Sequence, residues 1–118
     1  MKWLSGRFKC AFEGLFYAIK NDKSIALQCV FGIIAIVSAI LLKCNEFEFL
    51  WVCLAVCLVI CIEFLNSCIE RVVDYISLER CDQAKRIKDM AATAVFITSV
   101  FAFIVAIVVL LPKLWGLL

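Results

Sequence analysis

Two stretches of the chain contain no charged residue: 24–42, which is 19 residues long, and 90–112, which is 23. A helix needs about 20 such residues to cross the hydrocarbon core of a bilayer. No water is available there to satisfy backbone N–H and C=O groups, so each stretch must close its hydrogen bonds internally, as a helix does. Both are too long, and alternate too weakly, to be strands of a membrane barrel. Composition points the same way: 66% of the 118 residues are hydrophobic and mean hydropathy is +1.08, against the apolar share of about half in soluble domains. Small folds bury the smallest fraction of their surface. An ordinary soluble domain, a disordered chain and a secreted disulfide framework are therefore excluded.

A third span lies between these two. Residues 49–62 are apolar, Glu63 interrupts, and 64–69 continue, so 47–70 reads as one membrane helix with a carboxylate near its end. The opening segment differs. Phe8, Phe12, Leu15, Phe16 and Ile19 recur at helical spacing, with Lys9, Glu13 and Lys20 on other faces, which predicts an amphipathic surface helix over 1–21. Arg7, Lys9 and Glu13 interrupt any signal-peptide core, so no cleavage is expected. The expected architecture is an all-α integral membrane protein: one unit over 1–118, with a surface helix and spans at 24–42, 47–70 and 90–112.

Basic residues set the expected orientation. Lys2, Arg7, Lys9, Lys20 and Lys23 precede the first span, and Arg71, Arg80, Lys85, Arg86 and Lys88 separate the second from the third. The first connection has Lys43 alone and the C-terminus Lys113 alone. The positive-inside rule then places the N-terminus and the second connection in the cytoplasm and the C-terminus outside. A net charge of +2 gives no reason to expect a nucleic-acid partner. The chain has no histidine, which removes histidine catalysis and histidine metal sites. Of eight cysteines, five lie in apolar runs and none forms a CxxC pair. Cys53, Cys57 and Cys61 share a helix face, but they read as small apolar fillers.

The informative segment is 63–74, Glu-Phe-Leu-Asn-Ser-Cys-Ile-Glu-Arg-Val-Val-Asp. At about 100° per residue, Glu63, Asn66, Glu70 and Asp74 fall on one helix face, a polar ridge from inside the lipid to its surface. An ionisable group within a span costs a few kcal/mol and points to function by default, although a polar contact between helices or a shallow, wetted Glu63 would also explain it. Carboxylates a turn or two apart can hold a hard divalent cation, and a drier one can act as a general base. Lys85, Lys88 and Asp89 follow at the start of the third span. They read either as a site for an anionic polyphosphate or simply as a topology signal. No GxxxxGK[ST] loop occurs, so a P-loop is excluded.

This segment, together with 84–95 (Ala-Lys-Arg-Ile-Lys-Asp-Met-Ala-Ala-Thr-Ala-Val) and the opening Arg7-Phe-Lys-x-Ala-Phe-x-Gly-Leu-x-x-Ala18, resembles the prokaryotic diacylglycerol kinase and undecaprenol kinase family over essentially the whole chain. The resemblance implies a homotrimer in the bacterial cytoplasmic membrane, with active sites shared between neighbours. It implies Mg²⁺-assisted transfer of the ATP γ-phosphoryl group to the primary hydroxyl of a membrane lipid, either diacylglycerol or undecaprenol. By matching position, Glu63 is the catalytic base with Asn66 in support. Arg7, Asp22, Glu70, Asp74, Glu79, Lys88 and Asp89 fall to the nucleotide, with Asp22 and Glu70 also as metal ligands. The sequence departs from the family pattern at Asp22, where glutamate is usual, and at Ser24-Ile25-Ala26, where an arginine is lost. Gln28 replaces a second glutamate, Cys68 an alanine, and Cys81 lies near a position often histidine. The rival from another class is a small proton-coupled transporter using Glu63, but such exporters have four spans and carry their glutamate in the first.

Overall fold

The computed structural model describes residues 1–76 and 81–117. Every regular element among them is helical: α1 Lys2–Asn21, α2 Lys23–Leu41, α3 Glu46–Ile76, α4 Asp82–Val105 and α5 Leu111–Leu117, with a π turn at Ala106–Leu110 joining the last two into one rod. Three helices are long and apolar enough to cross a membrane, at Lys23–Leu41, Glu46–Ile76 and Asp82–Leu117. Two of them overrun the expected spans. α3 continues past residue 70, and α4 starts at Asp82 instead of 90, because charge marks the edge of the hydrocarbon and not the end of a helix. Nothing between 70 and 76 stops the helix, while the Cys81 Sγ accepts a hydrogen bond from the Ala84 N–H (3.4 Å) and starts α4 early.

One residue separates α1 from α2. Asp22 is extended, and its Oδ1 accepts from the N–H groups of Ser24 (3.0 Å) and Ile25 (3.3 Å), capping the N-terminus of α2. α1 buries Ala18 and leaves Phe8, Phe12 and Phe16 exposed, an apolar face the rest of the chain does not cover. At the other end of α2, Lys43 takes the left-handed conformation (φ 57°). There the Cys44 N–H reaches the Ala39 carbonyl (3.1 Å) and the Lys43 N–H the Ile40 carbonyl (3.2 Å), a Schellman closure with lysine where glycine is usual. α3 begins with a capping box: Asn45 Oδ1 accepts from the Glu48 N–H (2.9 Å) and Glu48 Oε1 from the Asn45 N–H (3.0 Å). Lys113 of α5 also meets Glu48 (3.1 Å), tying the end of the last rod to this turn.

The helices meet through small side chains. Ala39, Val52, Ala55, Val105 and Val109 form the core, with Phe101 packed against it and the Trp51 ring 6.3 Å from that of Phe101. Gly32 lets α2 approach α3 so closely that a Cβ there would lie 2.8 Å from a Val56 methyl. Thr93 and Thr98 return their hydroxyls to the carbonyls of Asp89 and Ala94, the usual way a hydroxyl is satisfied in a membrane helix.

Candidate functional site

The half of α3 beyond residue 62 carries the polar ridge. Glu63 is the one buried charged side chain among the described residues, 8% exposed. The charges of Asp22 and Glu70 both act on it. A turn further on, Asn66 donates its amide Nδ2 to Glu70 Oε1 (3.3 Å), which turns its carbonyl Oδ1 inward, where it is buried without a partner. Buried acceptors are normally satisfied. An unpartnered acceptor at this level of the ridge suits either a cation or a donor hydroxyl.

Asp22 arrives from the α1–α2 junction. Its Oδ2 accepts from the Ser67 hydroxyl, so the residue that caps α2 also fastens that corner to α3 at the level between Glu63 and Glu70. The Ser67 hydroxyl, with the Ile25 and Ser24 N–H groups and the Arg71 charge, holds the Asp22 carboxyl below the ordinary aspartate range, against a smaller opposing effect of burial. Among the described residues no three Asp, Glu or Cys side chains converge on a common metal position. Magnesium does not require that. It keeps several waters and is held by one or two carboxylates with substrate phosphates. Glu70, the free lone pair of Asp22 Oδ2 and the Asn66 carbonyl are hard oxygen donors of the kind it prefers, and the residues present fit the ion.

The α4 contribution is held by ion pairs. Lys88 reaches across to Asp74, at the end of the ridge, and Lys85 pairs with Asp89 one turn along (2.7 Å). Both pairs are exposed, so each adds little stability but keeps two lysines and two acids at one end of the bundle. Arg7 is not brought to this corner. It lies over the Trp3 ring at 4.5 Å, ten residues or about 15 Å along α1 from Tyr17. Glu79 and Arg80 lie outside the described residues.

Beside the ridge is a cavity of about 390 Å³ between α1, the start of α2 and α3. Leu15, Ile25 and Phe64 make its walls apolar, and Asp22, Ser67 and Arg71 make its rim polar. Arg71 donates to the Tyr17 hydroxyl (3.1 Å) and stacks over that ring at 5.3 Å, which pins the α1 end of the cavity to α3. Sequence reasoning did not single out Tyr17, Ser67 or Arg71 as site residues. Helix geometry contained part of the signal, since Ser67 and Arg71 fall about 40° and 80° round α3 from Glu63, but their partners, Asp22 and Tyr17, lie 45 and 54 residues away.

Residues 9–110 match the family model described as prokaryotic diacylglycerol kinase. The chain is 33% identical over 112 residues to a diacylglycerol kinase of Synechocystis, covering 94% of this chain and 64% of the relative. It thus spans a little under two thirds of that relative. Against the diacylglycerol kinase of Escherichia coli K12 identity is 34% over 106 residues, 90% of this chain and 84% of the relative. Against the undecaprenol kinase of Bacillus subtilis 168 it is 26% over 107 residues, 91% and 87%.

Proposed function

The chain belongs to the prokaryotic diacylglycerol kinase family, a family of lipid kinases, and from that footing we propose that it transfers the ATP γ-phosphoryl group to the primary hydroxyl of a membrane lipid, diacylglycerol or undecaprenol. The observation that supports this best is the position of Glu63. It is the buried carboxylate of a polar ridge fit for a nucleotide, and that ridge runs beside an apolar cavity fit for a greasy acceptor. A lipid hydroxyl lies at headgroup depth while the phosphate donor is in water, so the acid must stand at the boundary between them.

In this reading Glu63 accepts the hydroxyl proton as the lipid oxygen forms its bond to the γ-phosphorus. The bond from that phosphorus to the β,γ-bridging oxygen breaks, and ADP leaves with the electron pair. Asn66 orients Glu70 through its amide and offers its unpartnered carbonyl to the centre. Glu70 and Asp22 hold Mg²⁺, which when bound neutralises phosphate charge. Lys88 and Asp89, with Asp74 and Glu79, position the nucleotide, whereas Arg7 stands away from this corner over Trp3. Phosphoryl transfer asks mainly for positioning and charge neutralisation, which a short helical bundle can supply. Family membership sets aside the transporter reading. The whole chain acts as one lipid-kinase unit in the bacterial cytoplasmic membrane, with the ridge end cytoplasmic, where its basic residues concentrate. It works as a homotrimer with shared sites, consistent with the wide apolar flanks that a single chain leaves uncovered.

The test uses purified full-length protein, labelled ATP, Mg²⁺ and each lipid in turn. We expect label on one or both lipids, lost on chelation of the metal. Glu63→Gln keeps size and removes the base, so turnover should fall by about 10² to 10⁴ while a non-hydrolysable ATP analogue still binds. Near-normal turnover in Glu63→Gln would show that Glu63 is not the base.

A further inference from the structure

Among the charges of the site, Arg71 is the one with no part in the transfer step itself. Three cations approach the ridge end of the bundle. Lys85 and Lys88 are each paired with an acid, whereas among the described residues no carboxylate lies within ion-pair distance of the Arg71 guanidinium. Its hydrogen bond goes to a neutral phenol, and the Asp22 charge acts on it from beyond ion-pair distance. Arg71 is also the one cation among the residues lining the cavity.

Its place on α3 distinguishes it from the lysines. Asn66, Glu70 and Asp74 fall within about 60° of Glu63 round the helix, whereas Ser67, Arg71, Phe64 and Cys68 occupy a stripe about 40° to 140° away. That stripe is the cavity wall. Arg71 therefore stands at the level of Glu70 but on the acceptor side of it, with Lys88 meeting Asp74 on the ridge itself. Once transfer is complete, a phosphate monoester remains near Glu63, itself within reach of the charges of Asp22 and Glu70. Those three acids oppose a dianion, and the one nearby charge on the cavity side that attracts it is the guanidinium. Arginine also suits the task, because its planar fork donates two parallel hydrogen bonds to phosphate. Tyr17 holds the fork in place by stacking and by one hydrogen bond, so little side-chain freedom is lost on binding.

We infer that Arg71, held by Tyr17 at the rim of the cavity, binds a phosphate group on the acceptor side of the site, that of the phosphorylated lipid. The inference rests on the lipid-kinase reading for the occupant of the cavity. The same phosphate chemistry could come from the γ-phosphate of the nucleotide, and the test separates the two.

Short-chain phosphatidic acid and the matching uncharged diacylglycerol are titrated into the full-length protein in neutral micelles with ATP absent, and KM for ATP is measured separately. Arg71→Gln should weaken binding of the phosphorylated lipid by about tenfold and leave the uncharged lipid and KM for ATP within about twofold. Arg71→Lys should fall between, and Tyr17→Phe, which keeps the ring and loses the hydroxyl, should weaken the phosphorylated lipid by a few-fold. A rise in KM for ATP with unchanged lipid binding would assign the cation to the nucleotide and overturn the inference. Equal losses for charged and uncharged lipid would reduce Arg71 and Tyr17 to a structural tie between α1 and α3, and also overturn it. Arg71-dependent preference for the phosphorylated lipid in a protein that phosphorylates neither alcohol would uphold the binding site while the kinase reading fails.

Discussion

Asp22 shows how one short side chain can serve a fold and a site together. Its Oδ1 closes the first turn of α2 and its Oδ2 takes the Ser67 hydroxyl, leaving lone pairs for a cation. Because its donors favour the charged form, its folded value lies below the ordinary aspartate range. Its stabilising effect is thus complete above that range and is lost only as pH falls through the lowered value. Asp22→Ala should cost about 0.5–2 kcal/mol through the lost cap, read as earlier thermal unfolding in detergent. Asp22→Ser restores a cap but offers no carboxylate, so we expect stability above that of Asp22→Ala, short of the parent by the lost Ser67 bond, with activity lost. Recovery of activity in the serine variant would remove Asp22 from the metal set. The sequence pattern marked this position as an acid beside the first span. That it is a cap could not be read with the same force, since capping depends on where the helix starts, and α1 runs to within one residue of it.

At the scale of elements, the spans were legible because lipid imposes one strong constraint, charge-free length. Helix ends were less legible, since α3 and α4 run on through charged positions, α3 past Asp74 to Ile76 and α4 from Asp82. The close contact between α2 and α3 was not legible at all. A glycine at position 32 within an apolar run states nothing about its neighbour until the helices are docked and the Val56 methyl is found where a Cβ would go. Valine is stiff at χ1 and cannot turn aside cheaply. Gly32→Ala should therefore destabilise by about 1–3 kcal/mol, and Val56→Ala in the same chain should recover most of it. Thermal unfolding of the two single variants and the double variant checks this; purely additive losses would mean that the two residues do not meet. Lys43 is a related case, a left-handed residue with a side chain, tolerated because the Schellman bonds of the turn hold it there.

The whole molecule is an incomplete surface. Phe8, Phe12 and Phe16 of α1 are exposed, and most of each spanning helix faces outward, to lipid or to further copies of the chain. Native mass spectrometry from mild detergent should find a three-chain species, and a uniformly monomeric yet active enzyme would refute shared sites. By itself the sequence determined the class of fold, an all-helical chain with three helices long and apolar enough to cross a membrane, because a bilayer admits few solutions for apolar stretches of this length. It also determined the ridge of Glu63, Asn66, Glu70 and Asp74, because those residues lie within three turns of one helix and their common face follows from helix geometry alone. Only the tertiary structure decided what stands against that ridge: Asp22 on Ser67, Lys88 on Asp74, and Arg71 on Tyr17 at the mouth of a cavity. Those pairings join residues 14 to 54 positions apart, and helix periodicity carries no information about which faces of separate helices will meet.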